Sequence, residues 1–384
     1  MTILHLGTTH RAGDPRIVHK EAQTLAAAGL EVGVVVPGES DLEVAGVPVF
    51  TVPLPSTGKE RMTTTTAAVV RRALGVADAD TVFHIHDADL LLPALRLALR
   101  GRRVVYDAHE DVPRQTLHQA WIPRPLRRLV GLGYAALEAA AGRAFAGIIA
   151  AEPVIYDRYP ADKTALVRNF TLPDELAPPP GHSWSDRERA AVYVGSITET
   201  RGVWEMIEAV GRVPGTHLHL AGPFHPRALE DEVRAHGADH VAVWGRVDRP
   251  TVARLLARSR VGLSVLHPTP KYLEAYPTKL FEYQAAGLPL IASDFPVIRP
   301  FVDPHDCGIL VDPQNVEAVT EALRRVLEDD ESAQAMGERG RAAVLECYSW
   351  DREGERLVAF YRALLDGSRR PGAAAHRVVP IASC

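Results

Sequence analysis

Short apolar runs alternate with helix-period segments along almost the whole chain, and this alternation restricts the fold more than any single motif does. In the first half, "ILHL" and "VGVVVPG" flank "PRIVHKEAQTLAAAG", where Ile17, Ala22, Leu25 and Ala26 fall on one helical face and Gly29 suits a C-cap. "TVFHIHD", "LLLPALRLALRG" and "RVVYDAHE" continue the rhythm, and "AGIIAAE" and "TALVRNF" close it. Strands separated by helices imply right-handed βαβ crossovers and a parallel sheet. The rhythm breaks at "TLPDELAPPPGHSWSDRERA", a proline-rich, charged stretch that predicts a linker over 170–189. It restarts with "AAVYVGSI", "GVWEMIEAVGRV", "HLHLAGPF", "VAVWGRV", "VGLSVLH", "LPLIASD" and "CGILVDP". The pattern predicts an α/β chain of two Rossmann-like, doubly wound parallel-sheet domains. These span 1–169 and 190–345, with a helix at 346–367 crossing back to the first domain and a mobile tail at 368–384. Such domains define a cleft, and ligands of open α/β sheets sit beyond the carboxyl ends of the strands.

A length of 384 residues suits two domains. The net charge of −5 gives no global pull toward nucleic acid, and no nucleic-acid partner is expected. Eight arginines lie between Arg96 and Arg128, facing only Asp107, Glu110 and Asp111. Within 121–140, "RPLRRLVGLGYAALEAA" reads either as a basic amphipathic helix making weak contact with a membrane surface or as a solvated helix. No uncharged stretch reaches the roughly 18 apolar residues of a spanning helix. The opening "MTILHLGTTH" lacks a basic leader region and a cleavage site, so it reads as a strand. Cys307, Cys347 and Cys384 are far apart, with neither metal spacing nor a disulfide framework, and a cytoplasmic location is expected.

Two stretches carry candidate chemistry. In "VGSITETRG" a strand ends at Gly195 and Arg201-Gly202 open a helix. Amides at a helix start plus a forked guanidinium suit a diphosphate, and a plain turn with a solvated arginine is the other reading. In "EAYPTKLFE", Glu274 precedes a helix whose first turn holds Pro277, and Glu282 lies inside it. Glu282 suits a ribose diol and Glu274 a sugar, or the two acids are a solvated helix residue and a complement to the helix dipole. "HIHDAD" brings His84, His86, Asp87 and Asp89 together, which we read as a strand end and helix N-cap rather than a metal site. Asp107, Glu110 and Asp111 are either a source of a general base or partners for the nearby arginines.

"KYLEAYPTKLFEYQAAGLPLIASD" resembles the E-x7-E signature of the family-4 glycosyltransferases, which have the GT-B fold, and "VGSITETRG" lies where that family carries a G-x5-[K/R]-G phosphate loop. "THRAGDPRIVHKEAQTLAAAGLEV", "HIHDADLLLPA", "VVYDAHEDVPRQ", "WIPRPLRRL" and "GRVD" follow the order of a subgroup that decorates polysaccharides and natural products, so the resemblance covers about 3–362. It implies a retaining transferase that moves a sugar from a nucleotide-diphosphate donor, UDP or GDP, to a small-molecule natural product or a saccharide. It also implies front-face attack with no metal and no cofactor. By the same resemblance, Glu282 binds the ribose, Glu274 meets the donor sugar, Arg201 meets the diphosphate and His109 meets the sugar's hydroxymethyl side. Gly195 and Ser196 form the phosphate loop, the loop ending at Val247 faces the base, and the amides of Thr278, Lys279 and Leu280 meet the diphosphate. Ser196 stands where the family often has arginine, and the glycine-rich first loop is reduced to "RAGD", so Lys279 or Arg11 is the substitute cation. Arg11, Gly13, Asp14 and Arg16 fall on the acceptor side, with Asp14, Arg16 and His109 near the reacting centre. The rival readings are a nucleotide-sugar 2-epimerase and a catalytically silent binding subunit.

Overall fold

The fold is that of a computed structural model, which describes residues 2–117, 122–237, 239–274, 277–368 and 370–376. The chain divides into two compact units. The first takes residues up to Asn169 together with the helices from Trp350 onward, and the second takes Phe170–Ser349.

The first unit is built on β1 (Thr2–Leu6), β2 (Glu31–Pro37), β3 (Leu42–Val44), β4 (Val47–Val52), β5 (Val82–Ile85), β6 (Arg103–Ala108), β7 (Gly147–Ala150) and β8 (Thr164–Leu166). They form one sheet in the order β3-β4-β2-β1-β5-β6-β7-β8, parallel except for the antiparallel edge strand β3. The central strands are covered on both faces, which is why they read as near-continuous apolar runs. The winding reverses between β1 and β5, and the register there sets His5 beside His84 and Leu6 beside Ile85.

After β1 the chain enters a helix at Pro15–Ala22 in the wide π form, continuing as an α-helix at Gln23–Ala27. Ile17, Ala22 and Leu25 are buried as the apolar periodicity predicts. Arg16, Lys20 and Glu21 are buried too: Arg16 pairs with Asp107 and Glu21, and Lys20 donates to Asn169 Oδ1 at 2.8 Å.

Among the described residues, two C-terminal helices join this unit. In Trp350–Leu365, the indole of Trp350 donates to Thr24 Oγ1 at 2.8 Å, and Phe360 lies where a Cβ on Gly147 would come within 2.3 Å of its ring. The second, Pro371–His376, corrects the expected mobile tail: its Pro371, Gly372 and Ala375 are buried, and His376 Nε2 lies 2.7 Å from Tyr156 Oη. Alanines favour the helix, and Gly372 lets it approach the carbonyls of Ala161 and Thr164. The rest of that tail, residues 369 and 377–384, lies outside the described residues.

The second unit carries β9 (Ala190–Val194), β10 (His217–Ala221), β11 (Val241–Gly245), β12 (Val261–Ser264), β13 (Leu290–Ser293) and β14 (Gly308–Val311). The sheet is parallel, in the order β11-β10-β9-β12-β13-β14, with its switch point between β9 and β12. The stretch 170–189, expected as a linker, is instead folded into this unit. Phe170 and Leu176 join the core around Leu280 and Phe281. Arg187 donates to the carbonyls of Leu256, Ser259 and Ala286 at 2.8–2.9 Å, and burial lowers its pKa to about 10. The prolines shape turns while the interspersed aromatic and aliphatic side chains find apolar partners. No helix among the described residues is long and apolar enough to cross a membrane.

Candidate functional site

In the second unit, β9 runs into Gly195 at φ +134°, a conformation that favours glycine. β10 runs into Gly222 at φ +146°, where a Cβ would lie 2.0 Å from the Gly195 carbonyl oxygen. Two backbone turns are therefore stacked at the carboxyl end of the sheet. Arg201 ends the short helix Glu199–Arg201, and Gly202 at φ +74° packs against the Val265 carbonyl. The guanidinium donates to Tyr272 Oη at 3.1 Å, and to Tyr193 Oη and the Ser196 carbonyl at 3.4 Å. Ser196 thus contributes its backbone, whose carbonyl also accepts from Tyr193.

Lys279 comes from the other side. Its Nζ lies 5.5 Å from the centre of the Tyr193 ring and 2.5 Å from where a Cβ on Gly195 would stand. Burial, aided by the charge of Arg201 and opposed by Glu282, lowers its pKa to about 8. Two cations meet at one glycine turn, and among the described residues neither is paired with a carboxylate. Lone cations held this close suit an anion with several acceptor oxygens.

Glu282 belongs to the helix Lys279–Ala285, which starts two residues later than the motif predicts. It is not a solvated helix residue: Oε1 accepts from Arg249 at 2.7 Å, and Arg249 forks onto Glu175 at 3.0 and 2.8 Å. Tyr283 is fully buried and its hydroxyl accepts from the Val194 amide at 3.1 Å, tying this helix to the end of β9. The Leu280 amide, expected to face a ligand, donates to the Pro277 carbonyl at 3.2 Å, and its side chain is in the core. Thr278 is exposed, and Val247 packs partly buried against the core around Leu280. Glu274 ends the helix Pro270–Glu274 with its side chain exposed, and the intervening Ala275 and Tyr276 lie outside the described residues.

The first unit holds a cavity of about 230 Å³ at the carboxyl ends of β1, β5 and β6, lined by Thr9, His10, Asp87, Asp89, Tyr106 and His109 among others. His109 Nδ1 lies 3.3 Å from Asp107 Oδ2; burial opposes its charge most strongly, but the hydrogen bond and the charge of Asp107 together outweigh it and raise its pKa. Asp14 acts as a helix cap, accepting the amides of Arg16 and Ile17 at 2.9 Å, and its second oxygen lies 2.7 Å from His10 Nδ1. Burial opposes the Asp14 charge, but His10 and the Ile17 amide hold its pKa down to about 2. Burial likewise opposes His10, yet Asp14 and Asp87 raise it to about 8.

Arg16 does not face an acceptor. It is buried and forks onto Asp107 at 2.8 and 2.7 Å, so it acts through the carboxylate that holds His86 and His109. A guanidinium in the interior requires such pairing. Asp111 pairs with Arg158 at 2.9 Å, which favours the arginine-partner reading of the acids over the general base. Arg11 is exposed beside a second hollow that Arg61 also lines, and Gly13 is exposed with open space around it. Sequence reasoning missed Arg249, Tyr283 and His10. The i, i+4 spacing of His10 and Asp14 was a usable signal, whereas Arg249 and Tyr283 gain their meaning from residues far along the chain.

Residues 179–343 match the family described as "Glycosyl transferases group 1", and residues 13–161 match "Glycosyltransferase Family 4". A D-inositol 3-phosphate glycosyltransferase of Segniliparus rotundus is 26% identical over 287 residues, 70% of this chain and 62% of that one. The chain spans about half the length of the curated relatives it matches. Among solved structures, sucrose-phosphate synthase from Thermosynechococcus elongatus superposes with TM-score 0.75 at 19% identity, over 96% of this chain and 100% of that one. HepE from Anabaena, in complex with UDP-glucose, gives TM-score 0.70 at 14% identity, over 94% and 100%. The paired Rossmann-like units and the two family matches agree: the chain belongs to the family-4 type of glycosyltransferases and has the GT-B fold.

Proposed function

We propose that the protein is a retaining glycosyltransferase that moves a sugar from a nucleotide-diphosphate donor to a small-molecule or saccharide acceptor, without a metal or other cofactor. The observation that carries this reading is the pair of cations, Arg201 and Lys279, gathered at the Gly195 turn, with Glu282 held beside them in the Arg249 network. When the sugar departs, negative charge grows on the diphosphate oxygens, and two preorganised cations stabilise that charge most where it is largest. Glu282 has one oxygen on Arg249 and keeps the other for a ribose hydroxyl. UDP is favoured over GDP by the UDP-glucose complex of HepE. The acceptor nucleophile attacks from the leaving-group side and a phosphate oxygen takes its proton. His109 and the cavity around it receive the sugar and the acceptor.

The test is calorimetric titration of the full chain with UDP, GDP and dTDP, with and without divalent metal. Preference for one nucleotide, independent of metal and weakened in Glu282→Ala, supports the reading. No binding of any of them overturns it. With UDP-sugars added, slow sugar release marks a transferase, a changed sugar an epimerase, and binding without turnover a silent subunit.

A membrane-surface contact is favoured over a plain solvated helix at Arg124–Ala144, because it exposes Leu126, Leu129 and Leu132 beside Arg124 and Arg128. Trp121 of the predicted stretch lies outside the described residues. Co-sedimentation with anionic but not neutral vesicles is expected, and equal recovery with both kinds overturns it.

A further inference from the structure

The polar interior of the first unit contains more than the Arg16–Asp107 pair. β1 and β5 lie side by side in parallel register with His5 next to His84, and His86 follows on the same face because side chains alternate along a strand. The wide-turned helix Pro15–Ala22 lays Glu21 over that face. All four side chains are buried, with His5, His84 and Glu21 at 0% exposure. Each offers a ligand atom within 4.8 Å of the other three.

The individual spacings are those of a small coordination shell. His5 Nδ1 lies 2.9 Å from His86 Nε2, His84 Nδ1 lies 3.7 Å from Glu21 Oε2, and His5 Nδ1 lies 3.9 Å from the same oxygen. Ligand atoms about 2.0–2.1 Å from a tetrahedral zinc ion stand roughly 3.3 Å apart, inside this spread. Both ring nitrogens of His84, both carboxylate oxygens of Glu21 and His5 Nε2 are buried with no hydrogen-bond partner among the described residues. Glu21 Oε1 does stand 3.0 Å from Arg16 Nε, as an ion pair. So many orphaned polar atoms in one core are costly unless something satisfies them. The surrounding contacts are also those of a metal centre: His86 Nδ1 lies 2.9 Å from Asp107 Oδ2, which Arg16 holds in place, so Nε2 is turned toward the cluster with its orientation fixed.

We propose that His5, Glu21, His84 and His86 bind a divalent transition metal inside the first unit, with zinc the best match to a shell of three imidazoles and one carboxylate. The ion ties β1, β5 and the Pro15–Ala22 helix together. It is a structural site, separate from the donor chemistry proposed above and independent of it.

The full chain, purified without chelator from zinc-supplemented medium, is expected to carry one zinc per molecule by elemental analysis. Removal by a chelator lowers the Tm and added zinc restores it. Cobalt exchanged into the site gives visible absorption bands of tetrahedral intensity. Glu21→Gln, which keeps the shape of the side chain, and His84→Asn are each expected to lose the metal and the cobalt spectrum. A wild-type chain that holds no metal and gives no cobalt bands overturns the proposal, leaving a cluster satisfied by water and shared protons. Undiminished metal in both variants also overturns it, assigning the metal to other histidines. Should either variant fail to fold, the cobalt spectrum of the wild type decides alone.

Discussion

The polar cluster of the first unit and the Gly195 turn of the second place their charges in opposite ways. In the first, cations are matched by carboxylates: Arg16 by Asp107 and Glu21 in the interior, and the partly exposed His10 by Asp14 and Asp87 and Arg158 by Glu138 and Asp111. In the second, Arg201 and Lys279 converge on one backbone turn with aromatic rings rather than carboxylates for company. Charges paired within a fold hold a shape, whereas like charges held together are a receptor for something of opposite sign. On the function proposed above, this contrast gives the anionic donor to the second unit and a pre-oriented polar surface to the first.

The largest expected effect tests the second unit. Arg201→Ala removes a charged donor and should weaken UDP by about 100-fold, while uridine stays within about twofold. Equal losses for UDP and uridine, read by calorimetry, would break the contrast. Glu282→Gln should cost about tenfold in UDP affinity and less for a 2′,3′-dideoxy analogue, since the lost acceptor serves the ribose. A smaller effect follows from Lys279. Its pKa of about 8 means it loses its charge as pH rises through that value, so UDP binding should weaken between about pH 7 and pH 9. Lys279→Met should flatten that profile, and a slope unchanged in the variant would remove Lys279 from the site.

The smallest effect belongs to the first unit and is read as stability. His10 has a folded pKa of about 8, above its ordinary 6.5, so its pairing with Asp14 is fully present below about 6.5 and is lost as pH rises through about 8. Asp14 has a folded pKa of about 2, below its ordinary 3.8, so its contribution holds above about 3.8 and is lost as pH falls through about 2. Asp14, Asp87 and Asp107 favour the charged ring, while His86 and His109 stand close to it. Asp14→Ala should cost about 1–2 kcal/mol in urea melts near pH 6, combining a lost helix cap with a lost ion pair. A His10 titration by NMR that stays near 8 in this variant would show that the pair is not the cause.

The alternation of strand and helix was legible because each period depends on neighbours in sequence. The Gly195 turn, Arg201 and the spacing of Glu274 and Glu282 were legible for the same reason. The buried charges were not. Arg16 in "PRIVHKEA" was placed on the acceptor side, because its partner Asp107, which lets it go inside, lies far along the chain. Arg249 is silent in the sequence for the same reason, since its meaning comes from Glu175 and Glu282. The folded stretch 170–189 was hidden by its prolines, which signal turns without saying whether the side chains between them are buried.

The first unit is discontinuous in the chain, and this orders events during synthesis. Its eight strands leave the ribosome first, yet Trp350, Phe360 and Tyr361, all buried in that unit, come only after residues 170–349 have been made. Until then the slot over Gly147 and the contact at Thr24 have nothing to close them. The second unit is continuous and is free to fold in the meantime. Translation stalled before Trp350 would therefore release a chain with one continuous unit complete and the other still open at Gly147 and Thr24.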